Sequence, residues 1–380
     1  MVKNKLCAIV NLTENEEALK PLTIGRPVAA LPFAGRYRVV DFPLSNIAHA
    51  EIDSCALFIS ESGRSIYDHI RSGDSWNFDS QITGGIFTFS QRNWKLRHLQ
   101  EVDGDDFYDD HRLYMKRSHA NYVFVSGSKI IANVDIRAIY RHHLSSEADV
   151  TVVYKPIVLE EARRYSEDMN LVLDEYGQLL DIVPLRDAGE TERVNVNLGM
   201  YILSVDKLNE LMSRAEAEKR FVEVDSLIEH YLLEQNVNVY EYTGYTANVE
   251  TIDRYYQAHM DLLDRAKYNA VFHTSQPILT KSKNGAPTYY APGSVVKESI
   301  LATGVSVDGE VVRSIINRKV HIAPDAKVKE SILLQGTKVE AGAVVEYAII
   351  DKDCVIKAGA KVVGTPDNII VIGKNTVVEA

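Results

Sequence analysis

Few side chains capable of chemistry cluster in this sequence. The densest acidic group is Asp103, Asp105, Asp106, Asp109 and Asp110. Hard anionic oxygens at that spacing could recruit Mg²⁺, although a solvated acidic loop is the commoner use of such a run. His321 is the only histidine after residue 293. A lone histidine there could serve acyl transfer, but a solvated position is the ordinary expectation. Cys7, Cys55 and Cys354 are odd in number, far apart and without a C-x-x-C pair, so they suggest neither a disulfide framework nor a zinc site. The stretch Arg36-Tyr37-Arg38-Val39-Val40-Asp41 sets two guanidinium groups two residues apart, which suits an anionic ligand or a subunit contact equally.

Bulk properties exclude several classes. The 380 residues are 46% apolar and 25% charged, an ordinary globular balance. The net charge of −11 comes without a basic stripe, which argues against nucleic-acid binding. The apolar run within Met1–Val10 is short for a signal segment and reads as a first buried strand. No run of 18 apolar residues marks a membrane span. The expectation is a soluble, cytoplasmic protein with reduced thiols and no membrane or nucleic-acid partner.

Short apolar runs alternate with amphipathic stretches up to residue 272. Strands are expected at Leu6–Val10, Ala56–Ile59, Tyr122–Ser126, Val150–Lys155 and Leu198–Leu203. Helices are expected at Ile136–Leu144, Val205–Arg214, Asp225–Leu233 and Asp253–Phe272. Alternation of this kind implies crossover units and a mostly parallel sheet covered on both faces, a Rossmann-like α/β domain over residues 1–275. Residues 276–293 carry three prolines and two glycines and read as a linker.

Residues 294–380 repeat. Val305, Ile322, Val339 and Ile356 are spaced 17 apart, as are Val311, Val328, Val345 and Val362, and Ile316, Leu333 and Ile350. Within a repeat the apolar positions step by about six, with small residues between, as in Ala341-Gly342-Ala343. A six-residue beat with small corners describes a triangular parallel β-helix, here left-handed, whose sides are very short strands. An α-helix would need a period of about 3.6.

This combination resembles the glucose-1-phosphate adenylyltransferases (ADP-glucose pyrophosphorylases). Their P-F-G-G-K-Y-R-I-I-D-F-x-L-S-N motif is similar to Pro32 through Asn46. Further similarity lies in Lys20-Pro21-Leu22-Thr23, Ser72 through Trp76, Ala148 through Thr151, and Leu198-Gly199-Met200-Tyr201-Ile202. The resemblance implies a nucleotidyltransferase domain followed by hexapeptide repeats. It also implies Mg²⁺-dependent conversion of ATP and glucose 1-phosphate to ADP-glucose and pyrophosphate, for glycogen or starch synthesis.

The family's active-site residues are where this chain departs. The phosphate loop A-G-G-x-G-x-R-L-x-P-L-T corresponds to Leu12 through Thr23, with Thr13, Glu14 and Glu16 in place of glycines and Ala18 in place of arginine. Side chains then fill the space where backbone should approach phosphate. Glu14, Glu16 and Glu17 also bring like charge to a polyanion, at on the order of 1–4 kcal/mol per close contact. The metal aspartate of S-G-D-H is matched by Ser128, followed by Lys129. The second, in D-V-G-T, is matched by Asn248, with Glu250 two residues on. The sugar-phosphate lysine of E-K-P falls at Leu185. The G-T-A-D-A segment corresponds to Val102 through Asp106. The lysine of K-P-A-V-P-F falls at Val28, with Arg26 two residues earlier as a substitute.

These departures resemble the non-catalytic D-type branch of the family. They imply no catalytic residues and no metal or cofactor for this chain alone, and Mg²⁺ for a catalytic partner. Degenerate positions are Glu14, Glu16, Ala18, Ser128, Leu185 and Asn248; residual ligand or effector contacts are Arg26, Arg36, Arg38, Asn197, Gly199 and Tyr201. The expected partner is a catalytic glucose-1-phosphate adenylyltransferase subunit, within a homo- or hetero-tetramer. Competing readings are an active nucleotidyltransferase with different metal ligands, a sugar-phosphate-sensing scaffold, and a hexapeptide acyltransferase.

Overall fold

A computed structural model describes residues 5–59, 63–78, 84–90, 107–162, 168–189 and 191–380. Its first strand, β1 (Leu6–Leu12), is buried at every position, as a strand covered on both faces must be. A short hairpin follows, β2 (Pro32–Phe33) and β3 (Tyr37–Arg38). The other strands of this half are β4 (Ser54–Ile59), β5 (Gly85–Ser90), β6 (Tyr122–Ser126), β7 (Ile130–Ala132), β8 (Val150–Val158), β9 (Met169–Leu173), β10 (Leu179–Pro184), β11 (Arg193–Ser204), β12 (Val237–Glu241) and β13 (Thr246–Asn248). The main sheet runs β10-β9-β11-β6-β1-β4-β5, with β8 pairing both β11 and β12. Its β6-β1-β4-β5 part is parallel, whereas β11 pairs antiparallel with β6, β8 and β9.

Both faces are covered, as the continuous apolar strands require. On one, helices Asp41–His49 and Ile136–Ser145 cover Ala8, Val10, Leu57 and Ile202. On the other, Val205–Ala217 and Val224–Tyr231 cover Ile9, Val125, Val152 and Leu203. The helix expected over Asp253–Phe272 is two, Ile252–Asp261 and Arg265–Phe272. The break is local chemistry: the Asp264 carboxylate accepts from the amides of Ala266 and Lys267 and starts a new helix.

The C-terminal half is a left-handed parallel β-helix of three sheets, with six, five and five strands. Val311, Val328, Val345 and Val362 stand in register, as do Ile316, Leu333 and Ile350. Tyr290 and Val307 keep the 17-residue beat, but the next coil is shorter, so Val307, not Val305, lies beside Ile322. Both valines are buried, which is why the spacing misled.

One face of the β-helix packs on the α/β half. Ile332, Leu334, Ile349 and Ile369 share a core with Leu19, Leu22, Phe33, Tyr255 and Phe272. The connecting segment is stitched to the first half: the Leu279 amide donates to Ser45 Oγ at 2.8 Å, and Lys281 donates to the Asp68 carbonyl at 2.8 Å. No helix among the described residues is long and apolar enough to cross a membrane.

Candidate functional site

The loop after β1 runs alongside the turn between β6 and β7, which places Glu14 over residues 126–129. One carboxylate oxygen of Glu14 accepts from the Ser128 amide, from Ser128 Oγ at 2.8 Å and from the Lys129 amide at 3.1 Å. Burial nevertheless pushes the Glu14 carboxyl up against the pull of these donors. Ser128 is fully buried. Of the three carboxylates on this loop, Glu14 is the one seated on the Ser128–Lys129 turn. Glu17 pairs with Lys20 in a mostly exposed contact at 2.7 Å. Glu16 is half-buried, and Ala18 is exposed in the 3₁₀ turn Glu17–Leu19.

Next to Glu14 lies a closed ion-pair network. Lys129 Nζ sits 2.5 Å from Glu250 Oε2. Arg254 Nη1 bridges Glu250 at 3.0 Å and Asp168 at 3.1 Å. Asn248 Nδ2 donates to Asp168 at 2.9 Å and to Glu250 at 3.3 Å. Burial alone would lower the Lys129 amine, but Glu250, Asp168 and Glu14 outweigh it and hold the ammonium above the usual lysine range. For Glu250, burial acts upward and is overcome by Lys129 and Arg254, so its carboxyl titrates low. Asp168 is raised by burial, with Arg254 only partly opposing.

This donor set does not suit Mg²⁺. At the two positions where the resemblance requires carboxylates stand a hydroxyl, spent on Glu14, and an amide, and a protein ammonium occupies the neighbourhood. Among the described residues no three His, Cys, Asp or Glu side chains converge in a metal-binding group. The Asp103–Asp106 part of the acidic run, and the Val102–Asp106 segment with it, lie outside the described residues. Asp109 opens helix Asp109–Ser118 and pairs with Arg112 at 3.6 Å.

Sequence reasoning missed Asp168 and Arg254 altogether. The Arg254-to-Glu250 spacing of four on a helix start was the available signal. Leu185, at the position that the resemblance assigns to a lysine, is buried with Ala162, Val194 and Val196. Asn197, Gly199 and Tyr201 form one tight unit where β11 shifts register against β8. The Gly199 amide donates to Asn197 Oδ1 at 2.9 Å with Gly199 at φ +61°, which favours glycine. Asn197 Nδ2 donates to Tyr201 Oη at 2.9 Å and Glu229 at 2.8 Å.

The arginines lie elsewhere, at the junction of the two halves. Arg26 does not stand in for a substrate lysine: it is 7% exposed, and its Nη2 contacts both oxygens of Asp351, in the β-helix, at 2.9 Å. Its Nε donates to the Leu22 carbonyl at 2.6 Å. Arg38 Nη1 donates to the Ser65 carbonyl at 2.6 Å, and Arg36 is exposed, over the Tyr37 ring at 5.5 Å. Arg318 donates to the Arg36 carbonyl at 3.4 Å. Crowding of cations is felt throughout: burial and then Arg318 and Arg38 bring Lys283 down to about 8, and burial with Arg26 and Arg38 brings Lys352 to about 7.

Comparison with known proteins agrees with this geometry. Residues 17–265 match the nucleotidyl transferase family, and residues 290–368 match the GlmU-like C-terminal hexapeptide family. The chain is 31% identical over 378 residues to the glycogen biosynthesis protein GlgD of Bacillus subtilis (strain 168), covering 99% of this chain and 98% of that one. It is 30% identical over 321 residues to the GlgD of Geobacillus stearothermophilus, covering 84% and 82%. It is 25% identical over 332 residues to a glucose-1-phosphate adenylyltransferase of Lachnospira eligens, covering 85% and 75%. The α/β half with its docked β-helix is thus the architecture these relatives share, and the chain belongs to the nucleotidyl transferase family, in the group of the GlgD proteins and glucose-1-phosphate adenylyltransferases.

Proposed function

We propose that this chain is a catalytically degenerate, regulatory subunit of a glucose-1-phosphate adenylyltransferase complex in glycogen biosynthesis. It would act in the cytoplasm, in a tetramer with a catalytic subunit that binds the Mg²⁺. The observation that carries the reading is the closed network Lys129–Glu250–Arg254–Asp168 together with Glu14 on the Ser128 turn. Phosphoryl chemistry needs a metal or a free cation to neutralise developing charge. Here the cations that reach the cleft are already neutralised by the protein's own carboxylates. The intact junction between the halves supports a role in transmitting state: Arg26–Asp351 ties the degenerate loop to the β-helix, and the exposed Arg36, with Arg38, is suited to an anionic effector.

The test is ADP-glucose formation from ATP, glucose 1-phosphate and Mg²⁺ by this chain alone, by the catalytic subunit of the same organism alone, and by both together. The expected result is no turnover by this chain and an altered rate or substrate affinity in the mixture. Turnover by this chain alone would return the assignment to an active nucleotidyltransferase. An unchanged rate in the mixture, with no co-purification, would leave a separate sensing or scaffold protein.

A further inference from the structure

Glu14, Asp225 and Glu229 lie close together without a cation of their own. A Cβ on Gly127 would stand 3.2 Å from Glu14 Oε1 and 3.7 Å from Asp225 Oδ2, so these two carboxylates flank that glycine. Glu229 follows one turn after Asp225 on helix Val224–Tyr231 and accepts from Asn197 Nδ2 at 2.8 Å. Among the described residues none of the three forms an ion pair, and the nearby Lys129 ammonium is 2.5 Å from Glu250. Burial pushes the Glu14 and Glu229 carboxyls up, and Asp225 pushes both further. Buried charge of one sign is costly until something balances it.

Two oxygens at the same place lack a donor. Asn11 is 1% exposed, and its Nδ2 donates to Asp225 Oδ1 at 2.8 Å. That contact leaves Asn11 Oδ1 beside the carboxylate, buried and without a hydrogen-bond partner among the described residues. Glu14 Oε1 takes the donors of the Ser128–Lys129 turn, and Glu14 Oε2 is buried and unpartnered as well. Buried acceptors are ordinarily satisfied. An amide oxygen and two carboxylate oxygens are hard ligands, suited to a metal ion. Mg²⁺ keeps several waters in an octahedral shell, and Ca²⁺ takes roughly 6–8 oxygens. Oxygens closed to solvent favour neither, whereas a monovalent ion sheds its water more readily. We infer that Asn11 Oδ1, Glu14 Oε2 and Asp225 Oδ2 bind an alkali cation, K⁺ or Na⁺, which pins the loop after β1 to the turn between β6 and β7. The site uses neither Ser128 nor Asn248, the positions that the resemblance assigns to Mg²⁺ ligands, and it does not depend on the chain being catalytically silent.

The experiment is thermal melting of the full chain in potassium, sodium and tetramethylammonium nitrate at equal ionic strength, with thallium(I) NMR as a direct probe. A saturable rise in melting temperature is expected with K⁺ or Na⁺ over tetramethylammonium, which is too large to enter. A bound Tl⁺ signal displaced by K⁺ should accompany it. Glu14→Gln and Asp225→Asn keep the side-chain shape and remove a charge. Each should abolish the dependence on the cation and, in tetramethylammonium, melt no lower than the unaltered chain, a result that a poorly folded variant cannot give. Equal melting in all three salts without bound Tl⁺ would overturn the inference, because a proton shared by Glu14 and Asp225 would then balance the charge. A rise that tetramethylammonium gives equally, or one that survives in both variants, would overturn it too.

Discussion

Restoring the first metal carboxylate will not restore catalysis. Ser128 is fully buried, and its Oγ is 2.8 Å from a Glu14 carboxylate oxygen. In Ser128→Asp two carboxylates meet at about 4 Å, where an effective dielectric of about 20 gives roughly 4 kcal/mol of repulsion. That is enough to hold a proton between them at neutral pH, so the new side chain arrives neutral or drives Glu14 off the turn. Lys129, 2.5 Å from Glu250, still occupies the cation's neighbourhood, and Asn248 still offers an amide. The expected outcome is no Mn²⁺ binding by titration, no ADP-glucose from ATP and glucose 1-phosphate, and a lowered melting temperature. Adding Glu14→Gly, Lys129→Ala and Asn248→Asp removes the tethered anion and the resident cation and supplies the second carboxylate. Mn²⁺ binding should appear only in that combined variant. Metal binding or measurable turnover by Ser128→Asp alone would refute the reasoning, because it would mean that neither Glu14 nor Lys129 blocks the site.

Other perturbations test the frame around the cleft. Arg26 and Asp351 are 7% and 2% exposed. Arg26→Met strands a buried carboxylate and should cost about 3–5 kcal/mol, with Arg26→Met/Asp351→Leu recovering most of it in denaturant titrations; equal losses in the single and double variants would contradict this. The Lys352 amine is brought from 10.5 to about 7 by burial and then by Arg26 and Arg38. The unfolded chain therefore binds the extra proton between pH 7 and 10.5, so stability rises with pH across that window and the penalty is complete below 7. Lys352→Met should raise the melting temperature most below pH 7, with the gain fading toward pH 10. A Cβ on Gly309 would lie 2.4 Å from the Ala326 carbonyl oxygen, so Gly309→Ala should destabilise the β-helix by about 1–3 kcal/mol of overpacking, read as a lower midpoint in thermal melts.

How legible each part was in the sequence follows from the range of the interactions that make it. A solenoid repeats its inward positions at fixed spacing, so Val311 through Val362 could be placed in register by counting. The one slip, Val305 for Val307, fell where a coil is shortened and two valines are buried. The α/β half announced its buried strands but not its partly buried ones: β9, β10 and β12 carry intermediate and exposed positions and owe their existence to pairing, β10 with β9, β9 with β11 and β12 with β8. The site was legible as losses and not as gains. Motif spacing singles out Glu14, Ser128, Leu185 and Asn248 as positions where the family's chemistry calls for another residue. It could not show that Glu14 reaches across 114 positions to Ser128, or that Lys129, Glu250, Arg254 and Asp168 close on one another. Those contacts change the meaning of the losses. An eroded metal site would leave a hydroxyl and an amide facing water. Here a carboxylate from the phosphate loop satisfies the amides of the metal turn, and an ammonium takes up the charge of Glu250. Each substitution answers another, as expected when buried polar groups must find partners inside the protein. On the proposed reading, single changes toward the family's catalytic sequence must work against the contacts among Glu14, Ser128, Lys129, Glu250, Arg254 and Asp168 that hold this cleft together.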